Sequence, residues 1–230
     1  MADRPATEEQ LATIRAFGLG DDDVAAWRAS ALPTEFEEWL TDRVARRPDG
    51  ERARAVYGAE DVHDWARRAI LGALALGPGD RLLDVGCGGG LLLRDAMVTG
   101  AAAAGLDHSQ AMVALARARA PGAEVVAGAA DDLPFGDARF TAVSMSVVFF
   151  FFDDPVAVLG EARRVLQPGG RLAVYTTPPE LRGTGAAPEP LASRGHFYED
   201  DDLVRLAVDA GFASAAVSRE DGGQLLTATR

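Results

Sequence analysis

A short apolar strand that runs directly into a glycine-rich turn constrains this chain more than any other feature of its 230 residues. The segment is LLDVGCGGG, from Leu82 to Gly90, and a helical pattern follows it. Glycine tolerates positive φ angles and lets a ligand approach the backbone closely. The start of the next helix offers unpaired N–H groups and a positive dipole end to an anion. The segment therefore predicts a ligand-binding strand–turn–helix unit.

The spacing of the glycines distinguishes two kinds of cofactor site. Gly86, Gly88 and Gly90 give G-x-G-x-G, whereas the dinucleotide fingerprint G-x-G-x-x-G, counted from Gly86, needs glycine where this chain has Leu91. Asp107 ends the next predicted strand, about 20 residues further on, where a carboxylate accepts hydrogen bonds from ribose hydroxyls. It could instead belong to the cap of the following helix. We expect the ribose role, and an NAD-dependent oxidoreductase is the disfavoured alternative.

Strand and helix patterns alternate from residue 80 onward, which predicts a parallel α/β sheet. The predicted strands cover residues 81–85, 102–106, 124–127, 140–147, 171–176, 213–218 and 224–229. One helix is expected to begin at Pro155, with Asp154 as its N-cap, and to stop at Pro168. Another follows the acids of residues 200–202 and ends before Gly211. Ligands of such sheets bind at the carboxyl ends of the strands.

Residues 1–76 contain no convincing strand and predict a helical cap or lid, part of the same domain as a Rossmann-like core over residues 77–230. Helices are expected at 8–17, 22–30, 35–46 and 60–76, with breaks at Pro33, Pro48 and Gly58. The aromatic side chains of Trp27, Phe36 and Trp39 have two interpretations. They could close over a ligand, or they could pack a small helical core, which is the commoner role.

Composition limits the partners and the compartment. The net charge of -12, from 35 acidic and 23 basic residues, would repel a phosphate backbone, so we predict no nucleic-acid partner. The single cysteine, Cys87, permits no intrachain disulfide and suits a reducing compartment. No signal peptide is recognised, and the longest apolar run, residues 142–152, is too short to span a bilayer. We expect a cytoplasmic protein, monomeric or homodimeric, with no membrane partner and no metal site.

Three further segments join the glycine strand in a larger pattern: GLDHSxxM from Gly105 to Met112, DDLPF from Asp131 to Phe135, and VLQPGGRL from residue 165 to 172. In this order and spacing they resemble the class I methyltransferases of the ubiquinone/menaquinone-type family, over about residues 60–230. The resemblance implies a Rossmann-like fold with a mostly parallel seven-stranded sheet flanked by helices. It also implies S-adenosylmethionine as cofactor and methyl transfer to a small-molecule acceptor.

The resemblance further implies which residues contact the cofactor. The glycine turn would hold the methionine portion, and Asp84 would face its ammonium group. Asp107 would bind the ribose hydroxyls, His108 would pack on the adenine face beside Met112, and Ser146 would lie near the methionine end. The full implied set is Tyr57, Asp84, Gly86, Cys87, Gly88, Gly90, Asp107, His108, Met112, Ala129, Ala130, Asp131 and Ser146.

Two positions depart from the family's pattern. Ala129 stands where the family usually has Asp or Asn, which accepts from the adenine amino group, so the Ala130 amide and Asp131 remain for that role. One lost hydrogen bond costs about 0.5–1.5 kcal/mol, a weakening of roughly tenfold at most. Phe150 and Phe151 stand where many relatives carry a histidine pair. These departures leave open a protein that binds the cofactor without catalysis, or a fold that guides another reaction such as a cyclisation.

A general base is needed only if the acceptor must lose a proton. His63, on the helix predicted before the glycine strand, and His196, after the fifth strand, each have a surface or structural role as the simpler interpretation. Of the two, His196 is the better base candidate. Residues 149–152 are all phenylalanine and could be core or could line an apolar acceptor pocket. We therefore predict an acceptor with an apolar or aromatic part.

Overall fold

The N-terminal part of the protein is helical. A computed structural model describes residues 5–30, 35–46, 48–61 and 63–230, and Pro33, a predicted helix break, lies outside them. The helices that precede the first strand in this described part are α1 (Glu8–Ala16), α2 (Asp21–Arg28), α3 (Phe36–Thr41), α4 (Gly50–Gly58) and α5 (Asp64–Leu74). A π-helical turn, Asp42–Arg46, extends α3. Thr7 starts α1 with a capping box, in which the Thr7 hydroxyl accepts from the Gln10 amide and the Gln10 side chain accepts from the Thr7 amide.

The sequence pattern misplaces the last of these helices. The helix expected over residues 60–76 begins only at Asp64, and α4 is not predicted at all. Helix α4 buries Ala53 but leaves Val56 exposed, so no continuous apolar stripe marks it in the sequence. Between the two helices, His63 adopts the left-handed conformation, with φ 50° and ψ 34°, and is therefore not part of a helix.

A small aromatic core holds the first three helices together. Trp27 is buried, with its ring centroid 5.1 Å from that of Phe36 and 5.4 Å from that of Trp39. Ile14 and Leu40 complete this cluster. The three aromatic residues therefore pack a helical core, the commoner of the two roles considered for them.

The C-terminal part forms the expected sheet. Its seven strands are β1 (Arg81–Val85), β2 (Ala102–Asp107), β3 (Glu124–Ala127), β4 (Phe140–Ser146), β5 (Leu166–Thr176), β6 (Ser214–Glu220) and β7 (Gly223–Thr229). They lie in the order β3-β2-β1-β4-β5-β7-β6. β1 to β5 are parallel, and β7 runs antiparallel to both of its neighbours. The fold is thus the Rossmann-like, mostly parallel seven-stranded sheet that the sequence predicts, with N-terminal helices added.

Helices cover both faces of the sheet. On one face α5 buries Ile70 and Leu74 against strand residues that include Leu82. The other helices of the sheet region are α6 (Leu91–Val98), α7 (Gln110–Arg119), α8 (Pro155–Val165), α9 (Leu191–Arg194) and α10 (Asp200–Asp209). On the opposite face, the buried Leu159 of α8 and Leu203 of α10 join the largest core cluster. No described helix is long and apolar enough to cross a membrane.

The predicted helix signals hold at the start of α8 and the end of α10. The Asp154 carboxylate accepts from the Ala157 amide at 3.0 Å, and Gly211 follows α10 with a φ of 89°. Helix α8 ends at Val165 instead of continuing to Pro168. The residue before a proline avoids the helical conformation, and the preceding Leu166 already pairs with β4.

Candidate functional site

A cavity of about 480 Å³ opens at the carboxyl ends of the parallel strands, within the size range of small-molecule sites. Segments from the glycine turn, the end of β2, the end of β4 and the N-terminal helices line it. Its walls include these predicted cofactor residues: Tyr57, Asp84, Gly86, Cys87, Gly88, Asp107, His108, Met112, Ala129, Ala130, Asp131 and Ser146. Gly90 lies behind the wall, at the start of α6. The structure therefore brings the predicted set around one cavity.

The glycine turn needs its glycines for two physical reasons. Gly86, Gly88 and Gly90 have φ angles of 73°, 49° and 80°, which other residues rarely adopt. A Cβ on Gly86 would lie 2.8 Å from Cγ1 of Val148, and one on Gly90 would lie 2.8 Å from Cα of Ala116. Close packing of α7 against the turn therefore depends on the third glycine, and the backbone conformation depends on all three.

Asp107 joins the turn to the next helix. Its Oδ2 accepts from the Gly88 amide at 2.9 Å and its Oδ1 accepts from the Ser109 amide at 2.8 Å. Each carboxylate oxygen can accept more than one hydrogen bond, so both keep acceptor capacity for hydroxyl groups. Burial raises the pKa of Asp107, while the amide hydrogen bonds oppose that rise. The side chain contacts the N-cap residue of α7, Ser109, and it also lines the cavity, so its ribose-binding role stays a prediction.

Asp84 is the most deeply buried carboxylate of the cavity wall, with 1% of its surface exposed. Its Oδ1 accepts a hydrogen bond from the Ser144 hydroxyl at 2.7 Å. Burial raises the pKa of Asp84 to about 7, and the nearby Asp107 carboxylate adds to the rise. A buried carboxylate with one neutral hydrogen-bond donor is stabilised by a bound cation. The site therefore fits a ligand with an ammonium group and hydroxyl groups, as S-adenosylmethionine has.

The opposite side of the cavity is open. His108, Ala129 and Asp131 are exposed there, whereas Met112 is fully buried beneath them. Ala129 forms an isolated bridge with Asp132. The predicted adenine side thus has the exposed His108 ring, backbone groups and the Asp131 carboxylate at its edge. Because position 129 is alanine, this edge lacks the polar side chain that the family usually has there.

Arg119 and Ser109 attach the N-terminal helices to this site. The Arg119 guanidinium on α7 donates to the carbonyls of Tyr57 at 3.1 Å, Gly89 at 2.7 Å and Gly58 at 2.7 Å. The Ser109 hydroxyl donates to the Pro48 carbonyl at 2.8 Å. Sequence reasoning missed Arg119, because nothing in the local pattern around an arginine late in a helix indicates contacts so distant along the chain.

The phenylalanine run divides between core and cavity. Phe149 is fully buried in the main core, whereas Phe150, Phe151 and Phe152 line the cavity. The ring centroids of Phe150 and Phe151 are 4.5 Å apart, and Phe150 stacks on Phe197 at 6.0 Å. Phe149 is therefore a core residue, and an acceptor-binding role for the other three rings stays a prediction.

The two candidate bases exchange their expected places. His196 lies outside the wall that the described residues form around the cavity, and its side chain is 46% exposed. Its Nε2 is 3.5 Å from the exposed carboxylate of Asp153. His63, in the turn before α5, lines the cavity instead. The turn that carries His63 is recognisable only once α4 and α5 are seen as separate helices.

Comparison with known proteins shows which proteins this chain resembles. A family model described as "Methyltransferase domain" matches residues 83–174. The demethylmenaquinone methyltransferase of Beutenbergia cavernae is 41% identical over 142 residues, 61% of this chain and 58% of that protein. The demethylmenaquinone methyltransferase of Thermus thermophilus is 43% identical over 126 residues, 52% of this chain and 56% of that protein. The chain thus spans less than three fifths of the length of either relative.

A solved structure shares the fold. The S-adenosylmethionine-dependent methyltransferase of Aquifex aeolicus superposes with a TM-score of 0.66 at 20% identity, covering 79% of this chain and 98% of that one. The sheet order and the glycine-turn cavity define a class I methyltransferase fold. Together with the family model over residues 83–174 and the demethylmenaquinone methyltransferase relatives, they support a class I S-adenosylmethionine-dependent methyltransferase similar to the ubiquinone/menaquinone-type family. Its cofactor is S-adenosylmethionine, and the NAD-dependent alternative is not supported.

Proposed function

We propose that this protein transfers a methyl group from S-adenosylmethionine to a small-molecule acceptor with a sizeable apolar or aromatic part. The observation that carries the proposal is a single cavity with two chemically different ends. The glycine turn with Asp84 and Asp107 forms one end, and the rings of Phe150, Phe151 and Phe152 form part of the other. Such a cavity suits a polar cofactor and an apolar acceptor side by side.

The protein's own contribution would be mainly binding and positioning. S-adenosylmethionine, when bound, supplies a methyl group that is already activated on a sulfonium centre. Asp84 would hold the ammonium group of the cofactor, and Asp107 would accept from its ribose hydroxyls. Tyr57 and Ser146 would lie at the methionine end. The phenylalanine rings would exclude water and orient the acceptor, which is how proximity lowers the barrier of a displacement.

Demethylmenaquinone, which the names of the relatives specify, is one candidate acceptor. It supports the proposal because it is both aromatic and apolar. Because the match covers less than three fifths of each relative, the acceptor of those proteins is only proposed for this chain.

We also propose that residues 1–76 and 77–230 fold as one domain, that the protein works in the cytoplasm, and that it is a monomer or a homodimer without a nucleic-acid partner. The packing of α5 on the sheet and the Ser109–Pro48 hydrogen bond support the single domain. The buried, unpaired Cys87 is consistent with a reducing compartment. The net charge of -12 supports the absence of a nucleic-acid partner.

Calorimetric titration with S-adenosylmethionine, S-adenosylhomocysteine and NAD tests the cofactor site. We expect binding of the two sulfur compounds, none of NAD, and loss of binding in Asp107→Ala. Asp137→Ala is the matched control, because Asp137 is an exposed carboxylate paired with Arg164 and does not line the cavity. No binding of either sulfur compound would overturn the proposed function.

Mass analysis of products from an acceptor panel then separates the remaining alternatives. A product heavier by one methyl group supports methyl transfer. An isomer of the starting compound would support a cyclisation. Binding without turnover of any acceptor would support a non-catalytic cofactor-binding protein, an interpretation that the match to a methyltransferase domain does not favour.

A further inference from the structure

The turn between α4 and α5 places a histidine in the cavity wall that none of the roles above uses. We propose that His63 is the general base of this protein and accepts the proton of the methyl acceptor. The proposal rests on the proposed function, since it needs an acceptor in this cavity. It replaces His196 in that role.

The side chain of His63 does not stabilise the start of α5. The residue occupies the N-cap position of α5, yet its side chain makes no capping hydrogen bond. The Asp64 amide instead donates to the Asp61 carbonyl at 3.2 Å. A side chain selected to cap this helix would be Ser, Thr, Asp or Asn. Left-handed backbone at a residue other than glycine is uncommon, and such strained positions cluster at functional sites.

Two aromatic rings hold the imidazole without engaging its nitrogen atoms. Tyr57 lies edge to face at 6.5 Å between ring centroids, and Trp65 does so at 5.7 Å. Within the part of the chain that the structure describes, neither ring nitrogen of His63 has a hydrogen-bond partner. A half-buried imidazole in a cavity wall with unused nitrogen atoms is available to a ligand.

Burial and one nearby positive charge keep this ring neutral. The groups that face it are the phenol of Tyr57 on α4 and the guanidinium of Arg67 on α5. Burial, aided by Arg67, lowers the pKa of His63, so its lone pair is free near neutral pH. Arg67 contacts Asp64 at 3.0 Å and Asp95 at 3.2 Å. Burial raises the pKa of Tyr57, so that phenol stays protonated and does not compete as a base.

The proposed step balances as a displacement. A nucleophilic oxygen, nitrogen or carbon atom of the acceptor forms the new bond to the methyl carbon. The carbon–sulfur bond of the sulfonium breaks, and sulfur keeps its electron pair. The acceptor's proton moves to the free ring nitrogen of His63, which releases it to solvent before the next turnover. No oxidant, reductant or metal ion takes part.

The cofactor carboxylate is the competing partner for His63, and histidine NMR separates the two. The chain has three histidines, so His63→Gln and His196→Gln assign their signals. If His63 faces the acceptor, its pKa stays below the ordinary 6.5 when S-adenosylhomocysteine binds. A pKa raised by S-adenosylhomocysteine would mean that His63 pairs with the carboxylate, and this would overturn the proposal.

Kinetics with 2-naphthol and catechol as acceptor probes supply the second arm. For His63→Gln we expect a kcat lower by about 100-fold or more, with cofactor affinity unchanged. In the wild type, kcat/KM should rise with pH at a value below 6.5, and this rise should disappear in His63→Gln. Added imidazole should partly restore the activity of His63→Ala. A His63→Gln enzyme with wild-type kcat and pH profile would contradict the proposal, as would loss of the rise in His196→Gln alone.

The NMR titration and the acceptor kinetics distinguish a failure of this proposal from a failure of the proposed function. A wild type that binds S-adenosylhomocysteine but methylates neither probe counts against the proposed acceptor class, and the NMR result still decides whether His63 faces the cofactor. A wild type that does not bind S-adenosylhomocysteine overturns both proposals together. Val208→Ala, at an exposed position of α10, is the control for handling of the variants.

Discussion

The two ends of the cavity are built in different ways. The cofactor end comes from two adjacent strands and the turns that follow them, and backbone amides and two carboxylates form most of it. We propose that the acceptor end is formed by the end of β4, the turn before α5, and Ala186 and Leu191 of the segment after β5, which all line the cavity. Backbone geometry is fixed by the fold, whereas side chains from separate segments can change one at a time. Substitutions at the two ends should therefore affect different measurements.

The largest expected effect is at the cofactor end. Gly90→Val introduces a Cβ 2.8 Å from the backbone of Ala116 at a φ of +80°. We expect a destabilisation of about 3 kcal/mol or more and no detectable binding of S-adenosylhomocysteine. Denaturant unfolding and calorimetry measure both. Gly160→Ala is the control, since Gly160 lies in α8 with nothing within 4 Å, and it should keep or raise stability.

Within the phenylalanine run, two substitutions of identical chemistry should differ sharply. Phe149→Ala removes a fully buried ring, so it should cost about 3–5 kcal/mol of unfolding free energy. Phe151→Ala removes a half-buried ring that lines the cavity, so stability should change little while KM for the acceptor rises about tenfold. An equal loss of cofactor affinity in Phe151→Ala would mean that the two ends are not separate.

Asp84 connects stability to cofactor binding. Its pKa in the folded protein, about 7, lies above its ordinary value, so the folded state binds more protons than the unfolded state between these two values. Stability from this group is therefore full at low pH and falls as pH rises through about 7. Asp84→Asn should exceed the wild type by about 1–4 kcal/mol at pH 8 and much less at pH 4, while losing cofactor affinity. Equal stabilities at pH 8 would contradict this assignment.

The smallest effect is expected where the segment after β5 meets the N-terminal helices. Arg194 donates to the Glu35 carboxylate at 3.1 Å across an exposed surface. Arg194→Ala should change stability by less than about 1 kcal/mol, because exposed ion pairs contribute little. If this contact helps to close the acceptor end, KM for the acceptor should rise modestly and cofactor affinity should stay unchanged. A change only in the cofactor affinity of Arg194→Ala would contradict the independence of the two ends.

The sequence by itself determined the sheet and the cofactor end. Six of the seven strands were predicted within two residues at each end, and β5 begins five residues before its predicted start. The parallel strands are found because each is marked by its own short apolar run. The glycine spacing disfavoured a dinucleotide for a similar reason, and the resemblance of the glycine strand and three further segments to a known family implied S-adenosylmethionine. The backbone requirement of the turn is local, and the residues that satisfy it are contiguous or one strand apart.

Only the tertiary structure decided the acceptor end. It divided residues 149–152 between core and cavity, brought His63 to the cavity wall and left His196 outside. It also revealed Arg119, whose guanidinium contacts the carbonyl groups of Tyr57 and Gly58, about 60 residues earlier in the sequence, and of Gly89 in the glycine turn. These placements depend on how separate segments pack against one another. The sequence around a single residue does not contain this information, so the pattern that located the strands could not locate His63 in the cavity wall.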